Sequence, residues 1–269
     1  HARVIQAITS MQFMPRVVEV PLAGSSGDGL LWNDFVCPGG RVEPVGLPDR
    51  IGALVHTGGT TGHPKLARLS LRNMASAALM ANAGLGIQKT ERLLTGLPLF
   101  HVGGAIDALL ATLAAGGTVV FPTPMGMRNP EVVRQIWRVT ERHQITLIGG
   151  VPTSLAAIVD SPVGIADLSK LRAVMTGGSS LSKDLSQRLQ IRIGKPVCQL
   201  YGMTETSGIA TAQLTTGLPV THTAGFPVPH AEISIGAPGA AYRPGAKGEI
   251  LVRGPNLFHG YLTAQGVID

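Results

Sequence analysis

The sequence is poor in charged, aromatic and cysteine residues, and each shortage excludes a class of protein. Charged residues make up 14% of the 269 residues and aromatic residues 4%, so neither a basic arm nor a base-stacking surface for nucleic acid is indicated. The two cysteines, Cys37 and Cys198, lie far apart and form no C-x-x-C pair. They predict neither a disulfide framework nor a zinc site, and they suit a reducing cytoplasm.

Long apolar runs are also missing from the sequence. No run reaches the ~18 residues that a membrane-spanning helix needs, and no signal-peptide pattern is visible. Hydrophobic residues nevertheless make up 44% of the chain, which is enough to bury a core and excludes general disorder. We therefore expect a folded, cytoplasmic protein without a membrane span.

The net charge of +6 at pH 7 comes from 22 basic and 16 acidic residues, and it raises the question of an anionic partner. A basic surface can attract nucleic acid, anionic lipid or a phosphorylated small molecule. An ordinary solvated surface explains the same charge, because the sequence contains no run of like charges. We expect no nucleic-acid partner.

Short apolar runs alternate along the chain with segments of helical period, which is the pattern of an α/β protein. Ile51–His56 is predicted to be a buried strand. The sequence pattern changes beyond Gly208, where short alternating strands are separated by turns rich in proline and glycine. The sequence therefore predicts a doubly wound, mostly parallel α/β body over residues 1–208 and a smaller β-rich subdomain over residues 209–269.

A glycine- and threonine-rich stretch follows the first buried strand and is expected to precede a helix. It consists of Thr57, Gly58, Gly59, Thr60, Thr61, Gly62, His63, Pro64 and Lys65. The glycines allow backbone N–H groups to converge on an anion, the threonines add hydroxyl donors, and Lys65 adds a point charge. It is not a Walker loop, which needs glycine before the lysine and Ser or Thr after it, whereas Pro64 and Leu66 flank Lys65. The stretch predicts a phosphate-binding loop.

A second stretch combines an aromatic ring, a glycine, a hydroxyl and a carboxylate at the end of a predicted strand. It reads Tyr201, Gly202, Met203, Thr204 and Glu205. The ring can stack on a base, and a carboxylate beside a phosphate site is a hard-oxygen ligand suited to Mg²⁺. Gly177-Gly178-Ser179 ends another buried strand, where open α/β sheets bind ligands.

Both stretches, in this order along the chain, resemble signatures of the adenylate-forming superfamily, which includes acyl-CoA synthetases, peptide-synthetase adenylation domains and luciferases. The resemblance implies that Thr57–Gly62 and Lys65 bind the phosphates of ATP. It implies that Tyr201 stacks on adenine, that Thr204 contacts the α-phosphate and that Glu205 holds Mg²⁺. It assigns Gly177, Gly178 and Ser179 to an adenine-contacting loop, with Gly202 and Met203 in the same nucleotide site.

The segment Pro98-Leu99-Phe100-His101 resembles the part of the same superfamily that meets the acyl carboxylate. Taken alone, a single histidine is more often structural than catalytic. Peptide-synthetase domains often carry an aspartate where this chain has His101, and the aspartate pairs with the amino group of the substrate. The resemblance therefore favours a carboxylic acid without an α-amino group. The expected acyl pocket comprises His101, Val102, Gly103, Gly149, Gly150 and Val151.

The resemblance implies an acyl-CoA synthetase that forms acyl-AMP and passes the acyl group to coenzyme A. Lys65, His101, Thr204 and Glu205 are the predicted catalytic residues, with ATP, Mg²⁺ and coenzyme A as partners of the reaction. A peptide-synthetase adenylation domain and a non-catalytic nucleotide-binding remnant stay open as alternatives. Gly58 and Leu66, where the superfamily usually has Ser and Gly, support the remnant.

The superfamily pattern continues beyond the last residue of this sequence with a ribose-binding acid, a hinge and a small C-terminal domain that carries a catalytic lysine. The expectation is therefore that the 269 residues are a fragment of the large N-terminal domain and are inactive by themselves. Gly248–Pro255 and Gly260-Tyr261 match a further segment of the superfamily. That segment is predicted to be a structural hairpin without a chemical role.

Overall fold

A computed structural model describes the chain in two compact units, residues 1–46 and 47–269. The described residues are 18–19, 30–31, 47–57, 65–215, 223–236, 245, 247–263 and 266–268. In the first unit, Val18–Glu19 (β1) pairs in parallel with Leu30–Leu31 (β2). All of the features below belong to the second unit.

A seven-stranded sheet forms the centre of the second unit. Its strands in chain order are β5 (Arg92–Thr95), β6 (Thr118–Val120), β7 (Leu147–Gly150), β8 (Ala173–Thr176), β9 (Val197–Met203), β10 (Gly208–Ala212) and β11 (Phe226–Pro227). Their order across the sheet is β11-β10-β9-β8-β7-β5-β6. The pairs from β6 to β9 are parallel, whereas β10 is antiparallel to β9 and to β11.

Helices cover both faces of this sheet, and alternating strand residues show why. Leu94, Ile148 and Val174 point to one face, and their chain neighbours Leu93, Leu147 and Ala173 point to the other. On the first face lie α3 (Pro130–Arg134), α4 (Ile136–Arg142), α5 (Pro152–Val159) and α6 (Lys183–Ile193); on the second lie α1 (Leu71–Leu85), a π-helical segment (Gly103–Leu110) and α2 (Ala111–Ala114). The predicted doubly wound, mostly parallel α/β fold is confirmed.

Helix starts follow from capping residues in the sequence. The Ser70 hydroxyl accepts a hydrogen bond from the Asn73 backbone N–H at 3.1 Å, and the Asn129 side chain accepts one from the Glu131 N–H at 2.9 Å. These bonds satisfy N–H groups that have no partner within the first turn. Two helices, α3 and α4, follow Asn129, because the backbone leaves helical geometry at Gln135.

Two smaller sheets lie in the described part of this unit. The strands β3 (Ile51–Thr57), β4 (Lys65–Ser70), β14 (Tyr261–Thr263) and β15 (Gly266–Ile268) form an antiparallel sheet in the order β15-β14-β4-β3. The strands β12 (Glu232–Ile235) and β13 (Ile250–Arg253) form an antiparallel pair. Among the described helices, none combines the length and the apolar character that a bilayer crossing needs.

Three details of the prediction need correction. A strand, β4, follows the glycine- and threonine-rich stretch, so the stretch connects two strands and does not lead directly into a helix. Strand β3 is not buried, because alternate residues along it are exposed. Strand β9 continues through Met203.

Strands from both sides of residue 208 share sheets. β10 extends the seven-stranded sheet beside β9, and β14 pairs with β4. The subdomain division at residue 208 stays a prediction.

Candidate active site

A cavity of about 530 Å³ lies at the carboxyl ends of the parallel strands. The chain passes from β5 outward to β6 and then returns to the other side of β5 with β7, so the strand order reverses between β5 and β7. Open α/β sheets bind ligands at such a switch point, outside the carboxyl ends of the strands. The residues that follow β5, β7, β8 and β9 all contribute to the cavity wall.

The structure brings most of the predicted site residues together at this cavity. The lining includes Thr57, His101, Val102, Gly103, Gly149, Gly150, Val151, Gly177, Gly178, Ser179, Tyr201, Gly202, Met203, Thr204 and Glu205. Segments that are far apart in the sequence therefore meet at one end of the sheet. The predicted loop residues Gly58, Gly59, Thr60, Thr61 and Gly62 lie outside the described residues.

Lys65 is the first residue of β4 and stands beside the cavity lining, not in it. Its Nζ atom lies 5.2 Å from the centre of the Tyr261 ring, a cation–π distance. The sheet pairing explains this position, because β14 begins at Tyr261 and runs antiparallel to β4.

Tyr261 also contacts the carboxylate of Glu205. Its hydroxyl donates a hydrogen bond of 2.6 Å to Glu205 Oε1, and burial, with help from this bond, raises the pKa of Tyr261 to about 12. The Phe258 N–H donates to the backbone oxygen of Glu205 at 2.9 Å, so both ends of Glu205 are held by one segment. Sequence reasoning gave this segment no chemical role, although Gly260-Tyr261 had already been recognised as a superfamily match.

The backbone around Gly202 explains why glycine stands in the second motif. β9 and β10 approach so closely here that a Cβ atom on Gly202 would lie 1.9 Å from the carbonyl oxygen of Gly208. The chain then makes a 3₁₀ turn over Thr204–Thr206, and Ser207 adopts a left-handed conformation with φ of 53°. Asn256 supports this turn by donating to the Thr206 oxygen at 3.0 Å.

The loop after β8 presents polar groups and open backbone to the cavity. Thr176, which is 1% exposed, lines the cavity, and its hydroxyl has no hydrogen-bond partner among the described residues. A buried hydroxyl without a partner is costly unless a ligand or water satisfies it. Gly178 has a φ of +81°, a conformation that favours glycine. This wall is suited to a ligand with its own polar edge.

His101 follows β5 and presents an imidazole whose protonation state can be inferred. The backbone N–H of Gly103 donates a hydrogen bond to His101 Nδ1 at 3.1 Å, so Nδ1 carries no proton. Burial, followed by the nearby His56, lowers the pKa of His101. At neutral pH the ring is therefore neutral with its proton on Nε2, and it can donate a hydrogen bond.

The cavity has an acidic wall residue that sequence reasoning missed. Asp107 lies on the π-helical segment and keeps part of its surface accessible where it lines the cavity. Burial raises the pKa of its carboxyl to about 7, against the lowering effect of a 3.1 Å hydrogen bond from the Ile209 N–H. The available signal was a single charged residue inside an otherwise uncharged run from Val102 to Leu113.

The described lining of the cavity contains four ionisable side chains, and none of them is a lysine or an arginine. They are His101, Asp107, Tyr201 and Glu205. No cluster of three or more His, Cys, Asp or Glu side chains that could hold a metal occurs in the described parts of the chain. An anionic ligand at this place requires positive charge from another source.

The fold and the cavity define an α/β protein with a ligand site at the switch point of a doubly wound sheet. Comparison with known proteins identifies the family: the AMP-binding enzyme family matches residues 11–262, and the chain belongs to it. The superfamily resemblance found in the sequence is thereby confirmed.

Two relatives of this chain are named for CoA ligation. The chain is 35% identical over 221 residues to a feruloyl-CoA synthase of Amycolatopsis, an alignment that covers 81% of this chain and 43% of the relative. It is 37% identical over 217 residues to an indoleacetate–CoA ligase of Aromatoleum aromaticum, covering 77% and 40% respectively. The chain therefore spans about two fifths of the length of these relatives.

Two solved structures share the fold of this chain. A malonyl-CoA ligase in a ternary product complex with methylmalonyl-CoA and AMP superposes with a TM-score of 0.70 at 31% identity, covering 84% of this chain and 51% of that one. ATP-bound MatB from Rhodopseudomonas palustris superposes with a TM-score of 0.69 at 29% identity, covering 80% and 41%.

Proposed function

We propose that this chain supplies the nucleotide- and acyl-binding part of an ATP-dependent acid–thiol ligase in the cytoplasm. The ligase would join a carboxylic acid to the α-phosphate of ATP, release pyrophosphate, and transfer the acyl group from acyl-AMP to coenzyme A. The observation that supports this most directly is that the segments of His101, Gly177–Ser179 and Tyr201–Glu205 meet at one cavity. CoA-ligase relatives support the same reaction.

The nucleotide would occupy the wall formed by the ends of β8 and β9. Tyr201 would stack on adenine beside Gly177, Gly178 and Ser179, where the unpartnered hydroxyl of Thr176 offers a polar contact. Thr204 would contact the α-phosphate, Gly202 would allow close backbone approach, and Met203 would lie in the same nucleotide site. The glycine- and threonine-rich stretch from Thr57 to Gly62, with Lys65, would hold the β- and γ-phosphates.

Mg²⁺ fits this site in the way that it usually binds with nucleotides. The ion commonly uses one or two carboxylates together with substrate phosphates and water, not a cage of protein ligands. Glu205 provides a carboxylate on the cavity wall, and the Tyr261 hydroxyl donates a hydrogen bond to it. When bound, Mg²⁺ supplies positive charge, which the described lining lacks.

The acid would lie between the ends of β5 and β7. The neutral His101 would donate its Nε2 proton to the substrate carboxylate without adding a charge. Val102, Gly103, Gly149, Gly150 and Val151 would form the wall of the acyl pocket. Because the attacking carboxylate and the α-phosphate are both anionic, hydrogen-bond donors placed around them reduce repulsion and stabilise the transition state.

The decisive experiment is ATP–pyrophosphate exchange by the intact protein with fatty, aromatic and amino acids, followed by acyl transfer to coenzyme A. Exchange with acids that lack an α-amino group, and transfer to coenzyme A, are expected. Exchange with amino acids alone would favour a peptide-synthetase domain. ATP binding without exchange for any acid would leave a nucleotide-binding remnant and refute the proposal.

Two further arms sharpen this experiment. Glu205→Ala is expected to lower exchange by about 100-fold or more if Glu205 is the main metal ligand, whereas Glu232→Ala removes an exposed carboxylate on β12 and serves as the matched control. The 269-residue chain is assayed beside the intact protein. Equal rates would contradict the expectation that the chain is inactive by itself.

A further inference from the structure

Asp107 lies where the cavity reaches into the apolar core between the π-helical segment and the sheet. The lining beside it is formed by Leu93, Ala108, Met175, Leu200 and Ile209, all of which belong to or pack against the core cluster on that face. Apolar walls of this kind hold the hydrocarbon part of a ligand, and a few polar groups within them set its orientation. Asp107 is the carboxylic acid in this part of the wall.

The hydrogen-bonding capacity of Asp107 is mostly unused. Its Oδ1 atom accepts the Ile209 N–H at 3.1 Å, whereas a carboxylate has about four acceptor positions. Within the part of the chain that the structure describes, no cationic side chain lines the cavity or shifts the pKa of this carboxyl. A partly buried carboxyl that has one neutral hydrogen bond and no cationic partner is unfavourable, so a donor from a ligand would be bound there.

A purely structural role explains Asp107 only in part. β10 has an irregular register between Ile209 and Thr211, and Asp107 satisfies the N–H of Ile209 at this irregularity. An asparagine or serine would accept the same bond without placing an acid in an apolar wall. The chain also keeps room for the carboxyl, because a Cβ atom on Gly208 would lie 2.3 Å from Asp107 Oδ1.

We propose that Asp107 determines specificity by accepting a hydrogen bond from a donor group, a hydroxyl or an ammonium, on the hydrocarbon part of the organic acid. The inference rests on the proposed acid activation and narrows its substrate class. The donor lies away from the reacting carboxylate, which is assigned to His101. Simple unsubstituted acids of the same size would then be poor substrates, because they offer no further donor to this partly buried carboxyl.

Matched acids that differ in one terminal group test this proposal. Heptanoate, 6-hydroxyhexanoate and 6-aminohexanoate end in methyl, hydroxyl and ammonium on chains of equal length. Shorter and longer series place the terminal group at other depths in the cavity. 3-(4-Methylphenyl)propanoate and 3-(4-hydroxyphenyl)propanoate provide a ring-bearing pair. Binding is measured by calorimetry, and kcat/KM by pyrophosphate exchange, both on the intact protein.

The expected result is that, in at least one series, the donor-bearing acid is favoured by about 10- to 100-fold, the size of a hydrogen bond to a charged or buried group. Asp107→Leu should abolish this preference. The Asp107→Asn variant can still accept a hydrogen bond from the Ile209 N–H, so it tests the proposal even if Asp107→Leu does not fold. With this variant the preference for ammonium should fall and that for hydroxyl should persist, which distinguishes the two donors.

Thr112→Val is the matched control, because Thr112 lies one turn beyond Asp107 on the following helix, is buried, and does not line the cavity. It should retain the donor preference. Equal binding and equal kcat/KM for methyl- and donor-bearing acids in all series would overturn the proposal, and so would a donor preference that survives in Asp107→Leu. In either case, pyrophosphate exchange itself would still uphold the ligase function. Donor-dependent binding without exchange would support Asp107 and refute the ligase, and no acid binding would refute the Asp107 proposal.

Discussion

The hydroxyl of Tyr261 donates a 2.6 Å hydrogen bond to the carboxylate of Glu205, across 56 residues of sequence. The same tyrosine ring carries the Lys65 ammonium over its face at 5.2 Å. One side chain therefore contacts both the end of the proposed phosphate loop and the proposed metal ligand. Tyr261 is a positioning residue in this arrangement, since it acts on the nucleotide through its two neighbours.

Replacing Tyr261 with phenylalanine removes the hydrogen bond and keeps the ring under Lys65. We expect a reduction in exchange of about 10-fold, the cost of one hydrogen bond to a charged group. The concentration of Mg²⁺ that gives half-maximal exchange should also change, because Glu205 loses its fixed orientation. Exchange measured across a Mg²⁺ titration tests both effects.

Phe258→Leu is the control for this experiment. The Phe258 ring packs edge-on against Tyr261 with ring centres 4.7 Å apart, so its loss disturbs packing and leaves the Tyr261–Glu205 bond possible. A change in the Mg²⁺ requirement should therefore be specific to Tyr261→Phe. If both variants shift it equally, Tyr261 supports the site only through packing.

Gly208 is expected to tolerate no side chain. Its φ is +119°, and an added Cβ atom would overlap Asp107 Oδ1 at 2.3 Å. Gly208→Ala should lower the free energy of unfolding by about 2–4 kcal/mol through combined backbone strain and steric overlap. Urea-induced unfolding of the two proteins measures this difference.

Gly86→Ala separates the two causes. Gly86 ends α1 with a φ of +59°, but no atom lies within 4 Å of the added Cβ. Its substitution should therefore cost only the left-handed backbone penalty, about 1 kcal/mol. An equal loss at the two positions would show that the contact with Asp107 is relieved without cost.

Local features of this protein could be predicted from its sequence, and contacts between distant segments could not. The caps at Ser70 and Asn129 depend on residues two or three positions away, and the alternation of apolar runs with helical segments predicted the α/β sheet. Strand β4 was missed because the glycine- and threonine-rich stretch was expected to lead into a helix. In the structure β4 instead pairs antiparallel with β3 and, near the other end of the chain, with Tyr261–Leu262.

The missed site residues show the same limit. The bond from Ile209 to Asp107 spans 102 residues and arises only when β10 joins the sheet beside the π-helical segment. The uncharged run around Asp107 marks it as unusual, but nothing in that run indicates a bond to Ile209. The motifs at Tyr201–Glu205 and Gly177–Ser179 could be assigned because each is continuous in sequence and follows a strand.

A buried ion pair at the other end of the sheet is expected to matter for stability. Glu91, which is 5% exposed, lies 2.9 Å from the Arg172 guanidinium and also accepts a hydrogen bond from the Thr146 hydroxyl. Glu91→Ala leaves the partly buried arginine without its counter-charge, so we expect a loss of about 3–5 kcal/mol in the free energy of unfolding.

The exposed pair between Arg188 and Asp160, 2.6 Å apart, provides the comparison. Asp160→Ala should change stability little, because water and salt screen an exposed pair. Urea-induced unfolding at low and at high salt measures both variants. A loss for Glu91→Ala as small as that for Asp160→Ala would show that water replaces the carboxylate.

The ionisation of Asp107 is expected to make stability depend on pH. Burial raises the pKa of its carboxyl to about 7, whereas in an unfolded chain an aspartate titrates near ~3.9. The native state thus holds a proton that the unfolded state has released, and the stabilisation is complete below pH ~4 and lost as pH rises through ~7. Asp107→Asn cannot ionise, so its stability relative to the parent protein should increase from pH 4 to 8 by about 2–4 kcal/mol.

Asp167→Asn gives a control of opposite sign. The backbone N–H of Ser169 donates to the Asp167 carboxylate at 2.8 Å, and this bond holds the pKa of Asp167 below its ordinary value. Its contribution is present above pH ~4 and lost as pH falls further, so Asp167→Asn should be destabilising at neutral pH and neutral in acid. Unfolding followed at several pH values resolves both trends. A stability difference between Asp107→Asn and the parent that stays constant from pH 4 to 8 would show that the carboxyl ionises normally, with its charge compensated in the folded protein.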